Sequence, residues 1–202
     1  MGSINKIGIF AYGSLIDDPG IEIAPLICER ISDVLTPFKV EFSRKSKSRD
    51  YAPTLIPVEN GGAYVKGVII LLDESCTLEE AKNLLWRRET RNESTGKAYP
   101  NPKVIGTNTV VVKVLESFNN IDCVLYTKIG ANIDDLTPSI LADLAISSAK
   151  SKSGREKLDG ISYLISAKEN GIATPLMLDY ENEIVSKTGT LNLIEALRSC
   201  CI

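Results

Sequence analysis

Histidine is absent from the 202-residue sequence. This absence excludes a Ser-His-Asp triad, a Cys-His nucleophile pair and every metal site that needs an imidazole ligand. If the protein is an enzyme, its proton transfers must be made by Glu, Asp, Lys, Tyr or Cys side chains.

Long apolar runs, paired cysteines and a strong charge bias are also lacking. No apolar stretch approaches the ~20 residues of a membrane-spanning helix, and the first residues do not resemble a secretion signal. The five cysteines have neither the number nor the spacing of a disulfide framework or a zinc site. We therefore expect a reducing, cytoplasmic environment and no membrane partner.

The charge distribution argues against a nucleic-acid partner. The formal net charge is −3, and the basic residues are spread along the chain apart from one run at residues 44–49. We interpret this run as a solvated loop or as a rim that faces the substrate, since a binding surface for a phosphate backbone needs a larger basic patch.

Periodicity and turn residues predict one α+β domain over residues 1–202, with a mixed sheet curled toward a small barrel and flanking helices. The apolar run that begins at residue 7 is the first strand, and the other expected strands are 38–42, 54–58, 64–72, 107–115 and 123–128. Expected helices are 77–91, 137–150, 159–171 and 191–200. Residues 21–35 are expected to form a short helical piece and a connection, residues 60–62 a hairpin turn, and residues 92–102 and 150–157 loops.

The first strand is followed by a tight loop formed by Tyr12, Gly13, Ser14 and Leu15. Glycine lets the backbone turn sharply and lets main-chain N–H groups approach a ligand. Such a loop suits a bound carboxylate or a developing oxyanion. The alternative is a simple turn, which is the more common role of a Gly-Ser dipeptide at the end of a strand.

Glu89 is the carboxylate that the sequence singles out. In projection along the helix over 77–91, Arg88 and Glu89 continue the apolar stripe, whereas Arg87 is expected to point away. Burial raises the pKa of a glutamate, which lets it exchange protons near neutral pH. The alternative is a Glu89 that lies in solvent or is tied to Arg88 or Arg91.

Five stretches together resemble the γ-glutamylcyclotransferase-like superfamily, which includes the ChaC, γ-glutamylamine cyclotransferase and AIG2-like types. They are residues 12–15 (YGSL), 62–69 (GAYVKGVI), 86–89 (WRRE), 123–126 (CVLY) and 166–172 (SAKENGI). The resemblance covers roughly residues 4–175, but residues 42–58 and 92–102 match no subfamily.

This resemblance implies a γ-glutamylcyclotransferase that acts on a small γ-glutamyl amide without a metal or cofactor. The α-amine of the substrate attacks its own γ-carbonyl, closes 5-oxoproline and releases the attached amine. Glu89 would serve as general base and acid, and the loop from Tyr12 to Leu15 would bind the substrate. Tyr126 is a further candidate for the substrate pocket, and Arg44 and Arg49 are candidates for a distal carboxylate.

Two alternatives remain open. The same fold and the same Glu89 could remove a γ-glutamyl group from a specialised biosynthetic intermediate. The chain could also be a non-catalytic member that binds a carboxylate ligand or a partner. The sequence does not distinguish a monomer from a homodimer.

Overall fold

Seven strands and six helices make up the secondary structure of residues 6–200, which are the residues that this computed structural model describes. The strands are β1 (Ile7–Ala11), β2 (Ile27–Leu35), β3 (Lys39–Ser46), β4 (Ala52–Val58), β5 (Lys66–Leu72), β6 (Val111–Phe118) and β7 (Ile121–Lys128). The helices are α1 (Leu78–Glu89), α2 (Pro138–Ala149), α3 (Lys152–Arg155), α4 (Gly160–Glu169), α5 (Met177–Thr188) and α6 (Leu193–Cys200). The α+β class predicted from the sequence is confirmed.

The described chain divides into two compact units, each built from two separate stretches. The first contains the described residues up to Thr36 together with Lys66–Gly130, and the second contains Pro37–Val65 together with the described residues from Ala131 onward. A single domain over residues 1–202 stays a prediction. Within residues 6–200, every helix is too short or too polar to cross a lipid bilayer.

The first unit is a five-stranded mixed sheet with the order β2-β5-β1-β7-β6. The central strand β1 pairs antiparallel with β5 and parallel with β7, while β2 and β6 stand at the two edges. All five residues of β1 are buried, which agrees with its continuous apolar sequence, since a strand covered on both faces does not alternate.

Helix α1 packs on one face of this sheet. Ala81, Leu84 and Leu85 lie in one apolar cluster with Ile9 and Ala11 of β1. Phe10 belongs to a second cluster, together with Val124 and the partly buried Tyr126. Because successive side chains of a strand point to opposite faces, the second cluster lies on the face opposite α1.

Two predictions about strands need correction. Residues 21–35 were expected to form a short helical piece and a connection. A 3-10 turn is present at Ala24–Leu26, but residues 27–35 form the edge strand β2 instead of a connection. Its pairing with β5 has two register shifts, and most of its side chains are partly or fully exposed, so the two-residue apolar alternation is lost. Gly61 and Gly62 do turn with positive φ, but β4 and β5 join different sheets and do not form a hairpin.

The second unit combines the antiparallel pair β3 and β4 with helices α2 to α6. The buried Phe42 contacts the rings of Tyr163 and Tyr180, with centroid distances of 6.1 and 5.4 Å. The sequence did not predict α5 or the short α3. The apolar spacing of α5 was nevertheless available, since Met177, Tyr180 and Ile184 recur at helical intervals and are buried.

Glu41 is a buried carboxylate beside Phe42 in β3. Its Oε1 accepts hydrogen bonds from the Thr174 hydroxyl at 2.6 Å and from the Phe42 amide at 2.9 Å. Its Oε2 accepts one from the amide of Leu176 at 3.3 Å, just before α5. Buried carboxylates need such partners, and this one fixes the start of α5.

The Tyr180 hydroxyl is a buried polar group with no hydrogen-bond partner among residues 6–200. Burial raises the pKa of this phenol far above its ordinary value, so it stays neutral. A buried hydroxyl that loses water without gaining a partner costs about 1–3 kcal/mol.

We therefore expect Tyr180→Phe to leave the free energy of unfolding unchanged or to raise it by up to about 2 kcal/mol. Tyr180→Ala should lower it by roughly 3–5 kcal/mol, because the ring contact with Phe42 is lost. Urea unfolding followed by circular dichroism measures both changes. A loss above about 1 kcal/mol in Tyr180→Phe would show that the hydroxyl has a partner.

Candidate active site

The loop after β1 turns at Gly13. Tyr12 is still extended, Gly13 has a φ of +75°, and Gly13–Leu15 forms one 3-10 turn. The Ile16 amide donates to the Gly13 carbonyl at 3.0 Å, and the Asp18 amide donates to the Ser14 carbonyl at 2.9 Å. This confirms a tight loop at the end of the first strand.

The side chains of this loop divide between the two faces of the sheet. Leu15 is buried in the cluster that contains α1, whereas Tyr12 packs against the opposite cluster and donates its hydroxyl to the Thr127 carbonyl at 2.9 Å. Ser14 is half-buried. Among residues 6–200, the backbone N–H groups of Gly13 and Ser14 have no hydrogen-bond acceptor, so they are available donors.

Helix α1 begins and ends near its predicted bounds. Thr77 caps it by accepting a hydrogen bond from the Glu80 amide at 3.2 Å, as its capping sequence predicts. Its last residue is Glu89, and the Thr90 side chain donates to the Trp86 carbonyl at 2.7 Å just beyond that end. The helix thus delivers Glu89 at its carboxyl end.

Glu89 is mostly buried and is held by its neighbour. Its side chain is 26% exposed, and its Oε1 accepts a hydrogen bond from Arg88 Nη1 at 2.6 Å. Its Oε2 has no partner among the described residues. The sequence left open whether Glu89 is a buried group that exchanges protons, or lies in solvent or is tied to Arg88 or Arg91. The structure shows the contact with Arg88, and the catalytic role of Glu89 stays a prediction.

Arg88 joins the carboxylate to the loop. Its Nη2 donates to the Asp18 carbonyl at 2.5 Å and lies 3.5 Å from the Ser14 hydroxyl, while its Nη1 binds Glu89. The Arg88 side chain is only 12% exposed. One guanidinium thus connects the end of α1 to the turn at Ser14 and Asp18, and hydrogen bonds to charged groups are worth about 1.5–3 kcal/mol each.

Arg87 was expected to point away from the apolar stripe of α1, and its burial was not predicted. Arg87 is buried, with its Nε donating to Glu22 Oε2 at 2.8 Å and its Nη1 donating to the Lys97 carbonyl at 3.0 Å. The projection along α1 considered only the stripe that faces the sheet. The segments that contain Glu22 and Lys97 cover another side of the helix. No periodic pattern in the sequence predicts that cover.

A further carboxylate supports the loop. Glu93 accepts a hydrogen bond from the Ile21 amide at 2.8 Å through its Oε1. The same oxygen is 2.3 Å from where a Cβ on Gly20 would lie, and Arg88 Cγ is 2.8 Å from that point. Sequence reasoning missed Glu22 and Glu93, because both contacts join residues more than sixty positions apart.

Of the other predicted residues, Tyr126 lies in β7, and Arg44 and Arg49 lie in the second unit. Tyr126 lies on the sheet face opposite α1, and burial raises the pKa of its phenol. Arg49 is used inside the second unit, where it donates to the Leu158 carbonyl at 3.0 Å and stacks 4.9 Å from the Tyr163 ring centroid. Arg44 lies in β3, and burial lowers the pKa of its guanidinium.

No protein-family model matches the chain, and no curated protein matches it. The resemblance to γ-glutamylcyclotransferase-like proteins therefore stays a resemblance.

Arg88→Gln should loosen the loop while leaving the sheet intact, because Gln cannot reach the Asp18 carbonyl and the Glu89 carboxylate together. We expect the free energy of local opening at the Ile16 and Asp18 amides to fall by about 1.5–3 kcal/mol, measured by native-state hydrogen exchange. Arg91→Gln is the matched control, since Arg91 is exposed. Equal exchange in the two variants would contradict the positioning role of Arg88.

Proposed function

We propose that the chain is a γ-glutamylcyclotransferase in which Glu89 is the general base and general acid. The observation that carries the proposal is the environment of Glu89. Arg88 holds one carboxylate oxygen at 2.6 Å, and the other oxygen has no partner among the described residues. A carboxylate that is fixed in place with one oxygen available is suited to proton exchange with a bound amine.

The proposed reaction needs an amine nucleophile and a carbonyl on the same substrate. Glu89 removes a proton from the substrate α-ammonium, and the resulting amine attacks the γ-carbonyl to form the C–N bond of a five-membered lactam. Glu89 returns this proton to the leaving nitrogen as the C–N bond to the departing amine breaks. The ring nitrogen loses a second proton to solvent, which leaves the neutral lactam N–H. The products are 5-oxoproline and a free amine, and no oxidant or reductant is required.

The loop at Gly13 supports the part of the proposal that concerns substrate binding and oxyanion stabilisation. The backbone N–H groups of Gly13 and Ser14 are donors without acceptors among residues 6–200, which suits a carboxylate or a developing oxyanion. A well-placed donor to an oxyanion is typically worth ~3–4 kcal/mol of transition-state stabilisation. Since Arg88 contacts both Ser14 and Glu89, these donors and the base share one positioning residue.

Because the attack is intramolecular, the enzyme acts largely by folding the substrate. The flexible γ-glutamyl chain must bring its amine and carbonyl to ~3–3.5 Å before reaction. The proposed fold for this task is the γ-glutamylcyclotransferase-like fold, with a mixed sheet curled toward a small barrel. The place of Tyr126 in the substrate pocket stays a prediction.

Glu89→Gln should abolish turnover, because the amide has nearly the same shape but cannot accept the proton. The purified protein is incubated with glutathione, γ-glutamyl dipeptides and γ-glutamylamines, and 5-oxoproline is followed by mass spectrometry. We expect at least a 100-fold loss of rate, in the range of general acid–base contributions of about 10²–10⁴. Glu79→Gln, an exposed position on the same helix, is the matched control and should keep full activity.

The same set of γ-glutamyl substrates also distinguishes the proposed reaction from its alternatives. Equal activity of Glu89→Gln and the native protein would remove Glu89 from the mechanism. A folded native protein that releases no 5-oxoproline from any of these substrates would contradict the proposed substrate class. It would favour a specialised γ-glutamyl intermediate or a binding role.

A second prediction separates backbone from side-chain contributions in the loop. Gly13→Val should cost activity 100-fold or more, because a β-branched residue at a φ of +75° is strained by roughly 1–2 kcal/mol and shifts the N–H donors. Ser14→Ala should reduce activity less than about tenfold, since its hydroxyl makes only a 3.5 Å contact with Arg88. The kcat/KM of each variant, compared with that of the native protein, measures both losses of activity. A larger loss in Ser14→Ala would assign the main role to the hydroxyl.

A further inference from the structure

A cleft lies at the end of the first unit's sheet where β6 begins and β7 ends. Its volume is about 310 Å³, which is at the small end of the ~300–1,000 Å³ typical of ligand pockets. It is lined by apolar and basic side chains, principally Ile105, Thr109, Val111, Lys113, Lys128 and Ile129. None of its lining residues is acidic.

One wall of the cleft is held by backbone contacts. The Thr109 amide donates to the Gly106 carbonyl at 3.0 Å, and the Gly130 amide donates to the Thr107 carbonyl at 3.1 Å. A Cβ on Gly130 would lie 2.9 Å from both the Cα and the carbonyl oxygen of Thr107. This close approach needs glycine, and it ties the loop before β6 to the end of β7.

The floor of the cleft carries two ammonium groups on one face of the sheet. Val111 of β6 is paired with Lys128 of β7, and Lys113 is paired with Tyr126 two residues further on. Since paired residues of neighbouring strands point to the same face, the side chains of Lys113, Lys128 and Tyr126 share it. Lys113 is exposed, and its ammonium group makes no hydrogen bond or ion pair within residues 6–200.

The walls and rim complement this charge with apolar surface. Ile105 is 64% exposed, and the adjacent Val104 is 86% exposed. Exposed apolar groups beside a cleft are typical of binding surfaces. A ligand for this cleft must therefore combine an apolar part with a negative charge.

We propose that this cleft binds a small organic carboxylate that carries a short apolar chain. The chain lies against Ile105, Val111 and Ile129, and the carboxylate lies between the ammonium groups of Lys113 and Lys128. The cleft is on the sheet face opposite α1, as the shared face with Tyr126 indicates. It is thus a second site, separate from Glu89, and it does not depend on the proposed reaction.

Octanoate is the probe for the test. The ¹⁵N-labelled protein is titrated with octanoate, and the amide shifts of Thr107, Thr109 and Gly130 are followed by NMR. Octan-1-ol, which has the same chain without the charge, is titrated in parallel. We expect saturable shifts confined to the cleft with octanoate, weakening as the salt concentration rises.

Substitutions of the two lysines test whether their ammonium groups bind the carboxylate. Lys113→Gln and Lys128→Gln should each raise the Kd for octanoate roughly threefold or more, since each substitution removes one charged donor to the carboxylate. Lys103→Gln is the matched control, because Lys103 is exposed in the loop before β6 but does not line the cleft. This variant should leave the Kd unchanged.

Four outcomes would overturn the proposal. One is octanol binding as tightly as octanoate, which would make the cleft a purely apolar site. Another is shifts that lie outside the cleft, and the third is an unchanged Kd in both lysine variants. Inorganic phosphate that shifts the same amides more strongly than octanoate would replace the apolar carboxylate by a phosphate ligand.

Discussion

A guanidinium leaves water at little cost only when its N–H donors find acceptors, and the end of α1 depends on this constraint. Arg87 and Arg88 are both largely buried there. Arg87 binds Glu22 and the Lys97 carbonyl, and Arg88 binds Glu89 and the Asp18 carbonyl. The segment from Asp18 to Glu22 and the segment at Lys97 are therefore held by the two guanidinium groups, whereas the sheet-facing side of α1 is held by apolar packing.

This division gives the candidate site its rigidity. The loop after β1 is held at one end by the buried strand and at the other by the Arg88 contact to Asp18. Glu89 is held by the same arginine, so the proposed base and the backbone donors of the loop depend on one side chain. A site whose parts share a partner changes as a unit, which is what proton transfer and charge stabilisation in one reaction require.

The sequence predicted the elements with strong local patterns and missed those fixed by distant contacts. The run at β1, the cap at Thr77 and the Asp159 cap of α4 are local, and each was predicted correctly. The edge strand β2 was missed because exposure and register shifts remove its periodicity. In the site, Glu89 could be singled out from helix geometry and resemblance. The roles of Glu22 and Glu93 could not, because they depend on where the covering segments fold.

The pairing of β1 has a consequence for the order in which the protein can fold during synthesis. β1 hydrogen-bonds β7, with Ile7 opposite Cys123, so more than a hundred residues must leave the ribosome before this edge of β1 is covered. Until then an unbroken apolar strand has one unpaired edge, the feature that promotes aggregation. Such long-range pairing slows folding, which lengthens the time for which this edge is uncovered in the nascent chain.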